Sequence, residues 1–137
     1  MAGQNTGFQM AYKIEGASAG IPRYTIVKRG TADGTCTPGT ANCVPLGVVC
    51  NDERVDRAYQ ASGDQNGRLV AVQLDRIASV ILEDAVAYGA SVATAASGKG
   101  RNVPATSGTY YCIGFAEKAG VAGDVIPVLM DYHTKTV

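Results

Sequence analysis

The chain contains no tryptophan, only one histidine (His133), and no excess of either charge, with twelve Lys and Arg against twelve Asp and Glu. Each shortage narrows the range of functions. With no Trp, two Phe and seven Tyr, the chain is poor in the exposed aromatic platforms on which carbohydrate-binding β-sandwiches usually rely. Balanced charge supplies no basic surplus to displace counterions, so the reading gives DNA and RNA no direct part. No apolar run approaches the ~18 residues of a membrane span, which leaves no membrane partner. The first seven residues, Met-Ala-Gly-Gln-Asn-Thr-Gly, have neither the basic nor the apolar stretch of a signal peptide, so a soluble protein made in the cytoplasm is expected. Cys36, Cys43, Cys50 and Cys112 show no C-x-x-C spacing and stand far from His133, which argues against a zinc site. A Cys36–Cys43 bridge across a turn is conceivable, and reduced thiols suit a cytoplasmic product better.

What the chain does have is a pattern stated twice. Tyr24-Thr25-Ile26-Val27 leads to a Gly/Asp turn at residues 30–34, then Thr37-Pro38, Leu46-Gly47-Val48, and a Gly-led apolar run over residues 67–74. Ala90-Ser91-Val92-Ala93-Thr94 leads to Gly98-Lys99-Gly100, then Val103-Pro104, Ile113-Gly114-Phe115, and a Gly-led apolar run over residues 123–130. Most of the chain is thereby accounted for as scaffold.

At 137 residues, with 46% apolar and 18% charged content, the chain reads as one globular domain able to bury its own core. Short runs rich in Val, Ile and Tyr at residues 24–29, 46–50, 68–74, 77–83, 91–94, 110–116 and 124–132 are punctuated by Gly, Pro, Asp and Asn. They predict an all-β fold, a small sandwich (jelly-roll-like) or a barrel, with at most one short helix. Val70, Val72 and Leu74 alternate with Leu69 and Ala71, so that strand wants cover on both faces, from a second sheet or another subunit. Pro127 lacks an N–H and predicts an edge strand or a bulge at its position. Asn51 or Asp52 would cap a helix in which Val55, Ala58 and Tyr59 share a face and Gly63 ends it; a solvated loop fits equally well. Before the repeat, Phe8, Met10, Tyr12 and Ile14 alternate with polar or small residues, the period of a strand with one apolar face. Glycines at 3, 7, 16 and 20 would let this segment swing out as an arm onto a neighbouring chain; an ordinary first strand is the alternative. The expected division is an extended N-terminal arm over residues 1–20, a β-domain over 21–132 and a tail over 133–137.

No catalytic constellation stands out. Gly16-Ala17-Ser18-Ala19-Gly20 matches G-x-S-x-G, but that motif needs a strand before the serine and a helix after it, whereas Ile21-Pro22 and a strand signal follow. His133 is the one imidazole available as a base. Asp75, Glu83 and Asp84 read as solvated strand ends and turn formers. Gly98-Lys99-Gly100 lacks the rest of a phosphate-binding loop. The expectation is no enzyme, no cofactor and no metal.

The stretch from Ile21 to Met130 resembles the small cement (decoration) proteins of tailed-phage capsids. Pro45-Leu46-Gly47-Val48-Val49, Gly67-Arg68-Leu69-Val70-Ala71-Val72-Gln73-Leu74, Ala85-Val86-Ala87-Tyr88-Gly89-Ala90-Ser91-Val92, Gly98-Lys99-Gly100, Ile113-Gly114-Phe115-Ala116 and Gly123-Asp124-Val125-Ile126-Pro127-Val128-Leu129-Met130 carry the likeness. That family often has a Gly between its central strands, where Asp75-Arg76 stands here. The resemblance implies a structural protein of the virion, on the outer capsid surface, that holds neighbouring major capsid subunits together. Its expected partners are the major capsid protein and itself, a homodimer by preference and a trimer as the alternative. Phe8, Met10, Tyr12, Ile14, Arg54, Arg57 and Tyr59 are the candidate contact residues. A small ligand- or carbohydrate-binding β-sandwich is the main rival, and a hydrolase built on Ser18 the third reading.

Overall fold

The computed structural model describes residues 7–51 and 53–137, and among them lie ten strands and no helix. They are β1 (Gln9–Ile14), β2 (Ile26–Arg29), β3 (Thr35–Pro38), β4 (Gly47–Val49), β5 (Leu69–Gln73), β6 (Ile77–Ile81), β7 (Ser91–Thr94), β8 (Gly100–Asn102), β9 (Thr109–Ala116) and β10 (Val125–Thr136). The first five close a barrel in the order β1-β3-β2-β4-β5, and the last five form a sheet in the order β6-β10-β9-β7-β8.

Alternation decides what each strand buries. In the barrel, Ile14, Val27, Cys36, Leu46, Val49, Val70 and Val72 point inward with Ile21. The second sheet wraps Ala78, Val80, Val92, Ile113, Ala116, Ile126 and Val128 around its own core with Leu82 and Val86. Ile26 and Val48, on the outward face of the barrel, join that second core. β2 and β4 are therefore buried on both faces, and each of these side chains contributes about 1.5–3 kcal/mol of burial.

The two halves share one topology. β1 pairs antiparallel with β5 and parallel with β3. β6 pairs antiparallel with β10, and an isolated parallel bridge from Leu82 to Gly100 ties its end to β8. The remaining pairs, β2–β3, β2–β4 and β4–β5, are antiparallel, like β7–β8, β7–β9 and β9–β10. Even the register agrees: Gln9↔Gln73 through Lys13↔Leu69 in one unit corresponds to Ile77↔Leu129 through Ile81↔Val125 in the other. Loop bonds repeat as well. Ile14 N donates to Arg68 O and Gly67 N to Ile14 O; Leu82 N donates to Asp124 O and Gly123 N to Leu82 O. Gly67 and Gly123 both sit at positive φ, 86° and 88°, where glycine is favoured.

Several expectations are corrected. Residues 9–14 are not a free arm but a barrel strand paired on both edges, the counterpart of β6, because Tyr12 and Ile14 pack with the barrel core. Residues 1–6 lie outside the described residues. The segment 133–137 is not a tail, since β10 stays paired with β9 as far as Thr136↔Thr109. Of the two readings for the connection after β4, helix or loop, the structure has the loop, with turns; Asp52 lies outside the described residues, and Gln65 and Arg68 pin the segment. Gln65 is buried and bonds the backbone of Asp56 and Gly63, while Arg68 donates to the carbonyls of Glu53 and Arg54. Pro127 is in a central strand, without a bulge at its position. Its carbonyl accepts from Glu117 N, just past the end of β9. The imide nitrogen faces the same way, toward the end of β9, so the bond that proline cannot make is the one to Glu117 O and the pairing of β10 with β6 loses no donor. The register shift falls at Met130/His133 instead. At the junction, Arg76 takes φ 65°, the left-handed conformation that a glycine would adopt more easily. All four cysteines are free thiols.

Candidate partner-binding surface

The second sheet has one face on its core and one face open. On the open face stand Ile77, Ser79 and Ile81 of β6, Val125, Pro127 and Leu129 of β10, and Phe115 of β9, as their pairing fixes. Val125 and Leu129 are 43% and 41% exposed, and the others are half-buried by their neighbours. None of these seven side chains is charged, and at the edge of the face Ile81 also lines a cavity of about 370 Å³ with Pro22, Arg54 and Lys99.

His133, past the register shift in β10, lies on the same face. Its ring stacks on Phe115 with centroids 4.5 Å apart and an interplanar angle of 9°. Nδ1 lies 2.6 Å from the Asp131 carbonyl oxygen, which can only accept, so Nδ1 carries the proton. In the neutral ring Nε2 is then the acceptor for the Ser91 hydroxyl at 2.9 Å. A serine and an imidazole in contact have the geometry of a nucleophile and its base. Here Ser91 is buried, and the ring is clamped between a carbonyl, a hydroxyl and Phe115. The arrangement satisfies two polar groups at the rim of an apolar face. Ser18, the serine singled out by motif, is exposed in the β1–β2 connection and uses its carbonyl to accept from Gln65 N.

A groove follows the junction of the two units. Asn42, in the β3–β4 loop, accepts from Tyr111 N and donates to Thr109 O, both at 3.0 Å, which clamps the loop to β9. Val44 and Pro45 then flank Tyr132. On one side Met10, Tyr12, Arg29, Leu46 and Leu74 complete a groove of about 430 Å³. On the other, Tyr111, Cys112, His133 and Thr134 line one of about 210 Å³. The Tyr132 hydroxyl lies 2.7 Å from Leu46 O and 3.0 Å from Leu74 O and donates to them, so it ties the second sheet to the barrel. Burial of that hydroxyl pushes its pKa up to about 12, although the ring edge stays exposed.

The sequence-derived contact residues do not converge. Ile14 is in the barrel core and Tyr12 is half-buried, while Phe8 and Met10 stand exposed at the start of β1. Arg54, Arg57 and Tyr59 are exposed on the connection after β4. That connection meets the other end of β1, because Ile14 bonds Arg68 and Arg68 holds Arg54, whereas Phe8 bonds Leu74. Missed in the sequence were Ile77, Ile81, Val125 and Leu129. Their alternation was visible, but which of the two apolar rows would remain uncovered was not. Among the described residues no three His, Cys, Asp or Glu side chains cluster as metal ligands would.

No family model matches the chain, and no curated protein matches it. Among solved structures it is similar to the head fiber gp8.5 N base of bacteriophage phi29, with a TM-score of 0.63 and 14% identity over 90% of this chain and 93% of that one. At that identity the likeness shows a shared fold across nearly the full length of both chains.

Proposed function

We propose that this chain is a structural virion protein, not an enzyme, which binds the outer face of a tailed-phage capsid and holds neighbouring major capsid subunits together. The observation that carries the reading is the near-complete fold likeness to the base of a phage head fiber. An uncharged, apolar sheet face on a chain of zero net charge suits a protein that binds protein. The mechanism is avidity. An oligomer touching two or more capsid subunits makes its second contact intramolecular, a gain of order 10²–10⁴. Binding to the assembled shell alone stabilises that shell by mass action against the pressure of packaged DNA. The test is co-sedimentation with capsids that lack the protein, alongside unassembled capsid subunits. The reading requires binding to capsids and none to free subunits; binding to neither overturns it.

A second reading has its own observation: Tyr12, Tyr132 and Tyr111 line the junction groove, as a small-ligand or carbohydrate site would need. Against it, the Tyr132 hydroxyl already serves two backbone carbonyls. Calorimetric titration with a glycan panel decides it, and saturable heat lost in a Tyr111→Ala variant favours the groove.

A further inference from the structure

The two units share backbone and register but present opposite surfaces. In the first unit, the outward positions of β1 and β5 are Gln9, Ala11, Lys13 and Leu69, Ala71, Gln73. The matching positions of β6 and β10 are Ile77, Ser79, Ile81 and Val125, Pro127, Leu129. One set is half polar and includes a lysine. The other is apolar apart from one serine. The next row inward makes the same point: Ile26 and Val48 of the barrel are sealed by the second unit. By register, their counterparts are Ser91 and Phe115, which the ring of His133 contacts. Thus the second unit has the composition of a covered face, and among the described residues no further unit covers it.

We propose that this face binds the same face of a second copy of the chain, sheet on sheet, about a two-fold axis. Three observations select that occupant. The chain already makes a contact of this class once, where the outward face of one five-strand unit is closed by another unit of the same fold. An uncharged face needs an uncharged complement, since it offers no ion pair to orient a charged partner. The face also complements itself. With an axis near the Ser79↔Pro127 pair, Ile81 and Val125 of one copy lie over Ile77, Leu129 and Phe115 of the other. Four strands about 4.8 Å apart and some five residues long project to roughly 300–350 Å². That is the size of a functional patch, and it falls short of the ~800 Å² per partner of a standard stable complex. The dimer is accordingly weak, with a dissociation constant of roughly 1–100 μM.

The inference would supply the oligomer that the proposed avidity needs, and it is tested on the protein alone. Sedimentation equilibrium from about 1 to 500 μM compares wild type with a variant carrying Ile77→Gln, Ile81→Lys and Leu129→Gln. Those side chains stand at the matching positions of the first unit (Gln9, Lys13 and Gln73), so the backbone register already accommodates them. The expected result is a monomer–dimer equilibrium in wild type and a dissociation constant raised at least roughly 30-fold in the variant. A Leu69→Gln variant, on the other unit, should leave the equilibrium unchanged. If thermal unfolding shows that the triple variant does not fold, Leu129→Gln alone reads the same question, with a rise of roughly five- to tenfold. Wild type that stays monomeric, a dimer indifferent to these changes, or an assembly larger than a dimer overturns the proposal. A monomer that still binds capsids overturns this inference and leaves capsid binding standing without the avidity of this dimer; a dimer that ignores capsids leaves the inference standing and overturns the proposed function.

Discussion

Gly47 and Gly114 occupy one and the same position in the two five-strand units. Each faces its neighbouring strand where a β-carbon would collide with a backbone carbonyl oxygen, that of Gln73 for Gly47 and that of Leu129 for Gly114. Gln73 and Leu129 are themselves counterparts by register. A carbonyl in a paired strand cannot retreat as a flexible side chain would. Gly47→Ala and Gly114→Ala should therefore each cost about 2–4 kcal/mol. Gly63→Ala, at φ 78° with open space around it, should cost about 1–2 kcal/mol from backbone conformation alone. Urea denaturation of the three variants checks the ranking, and equal losses would show that close approach is not what fixes these glycines.

That pair also marks how far the fold could be read in advance. Leu46-Gly47-Val48 and Ile113-Gly114-Phe115 matched in sequence because the backbone tolerates only glycine there. The match of β1 with β6 stayed hidden: Met10, Tyr12 and Ile14 share with Ala78, Val80 and Leu82 nothing but alternation, and register resides in backbone bonds. Glycines flanking β1 read as hinges, whereas Gly7 and Gly20 are crowded by the backbones of Asp75 and Arg54. The contact of Ser91 with His133 spans 42 residues and joins two strands, β7 and β10, that are not neighbours in the sheet, so no local signal announces it. The wish for cover on both faces was read from β5, where Leu69 is simply exposed; β2 and β4 are the strands that obtain it.

Deleting residues 1–16 should abolish folding rather than release an arm. The deletion leaves β5 and β3 each with an unpaired edge and opens the barrel core that Ile14 closes. The expected outcome is an insoluble or unfolded product by circular dichroism. A soluble truncated chain that unfolds near the wild-type temperature would restore the arm.

Tyr132→Phe removes the donor shared by Leu46 O and Leu74 O, and should destabilise by about 1–2 kcal/mol at neutral pH. The pH dependence has a definite sign. Burial raises the folded-state pKa from 10.0 to about 12, so the neutral phenol is the form that the fold favours. Its contribution is fully present below about pH 10 and is lost as pH rises towards 12. The stability difference between wild type and variant should be flat up to pH 10 and shrink above it. A difference that does not vary with pH would contradict the buried hydroxyl.

Burial also raises the thiol pKa values of Cys36, to about 11, and of Cys50 and Cys112, which disfavours the reactive thiolate. In native protein Cys43, half-exposed, should react first with a thiol reagent, and Cys36 and Cys112 only on unfolding. All four should titrate in denaturant without reductant. Recovery of two would establish a disulfide.

The most direct test of the proposed function is electron cryomicroscopy of capsids lacking this protein, imaged before and after incubation with it at saturating concentration. The account predicts new density on the outer surface, bridging adjacent major capsid subunits and fitted by the two five-strand units. Shells that remain bare, or density confined to the interior or to the tail, would contradict it.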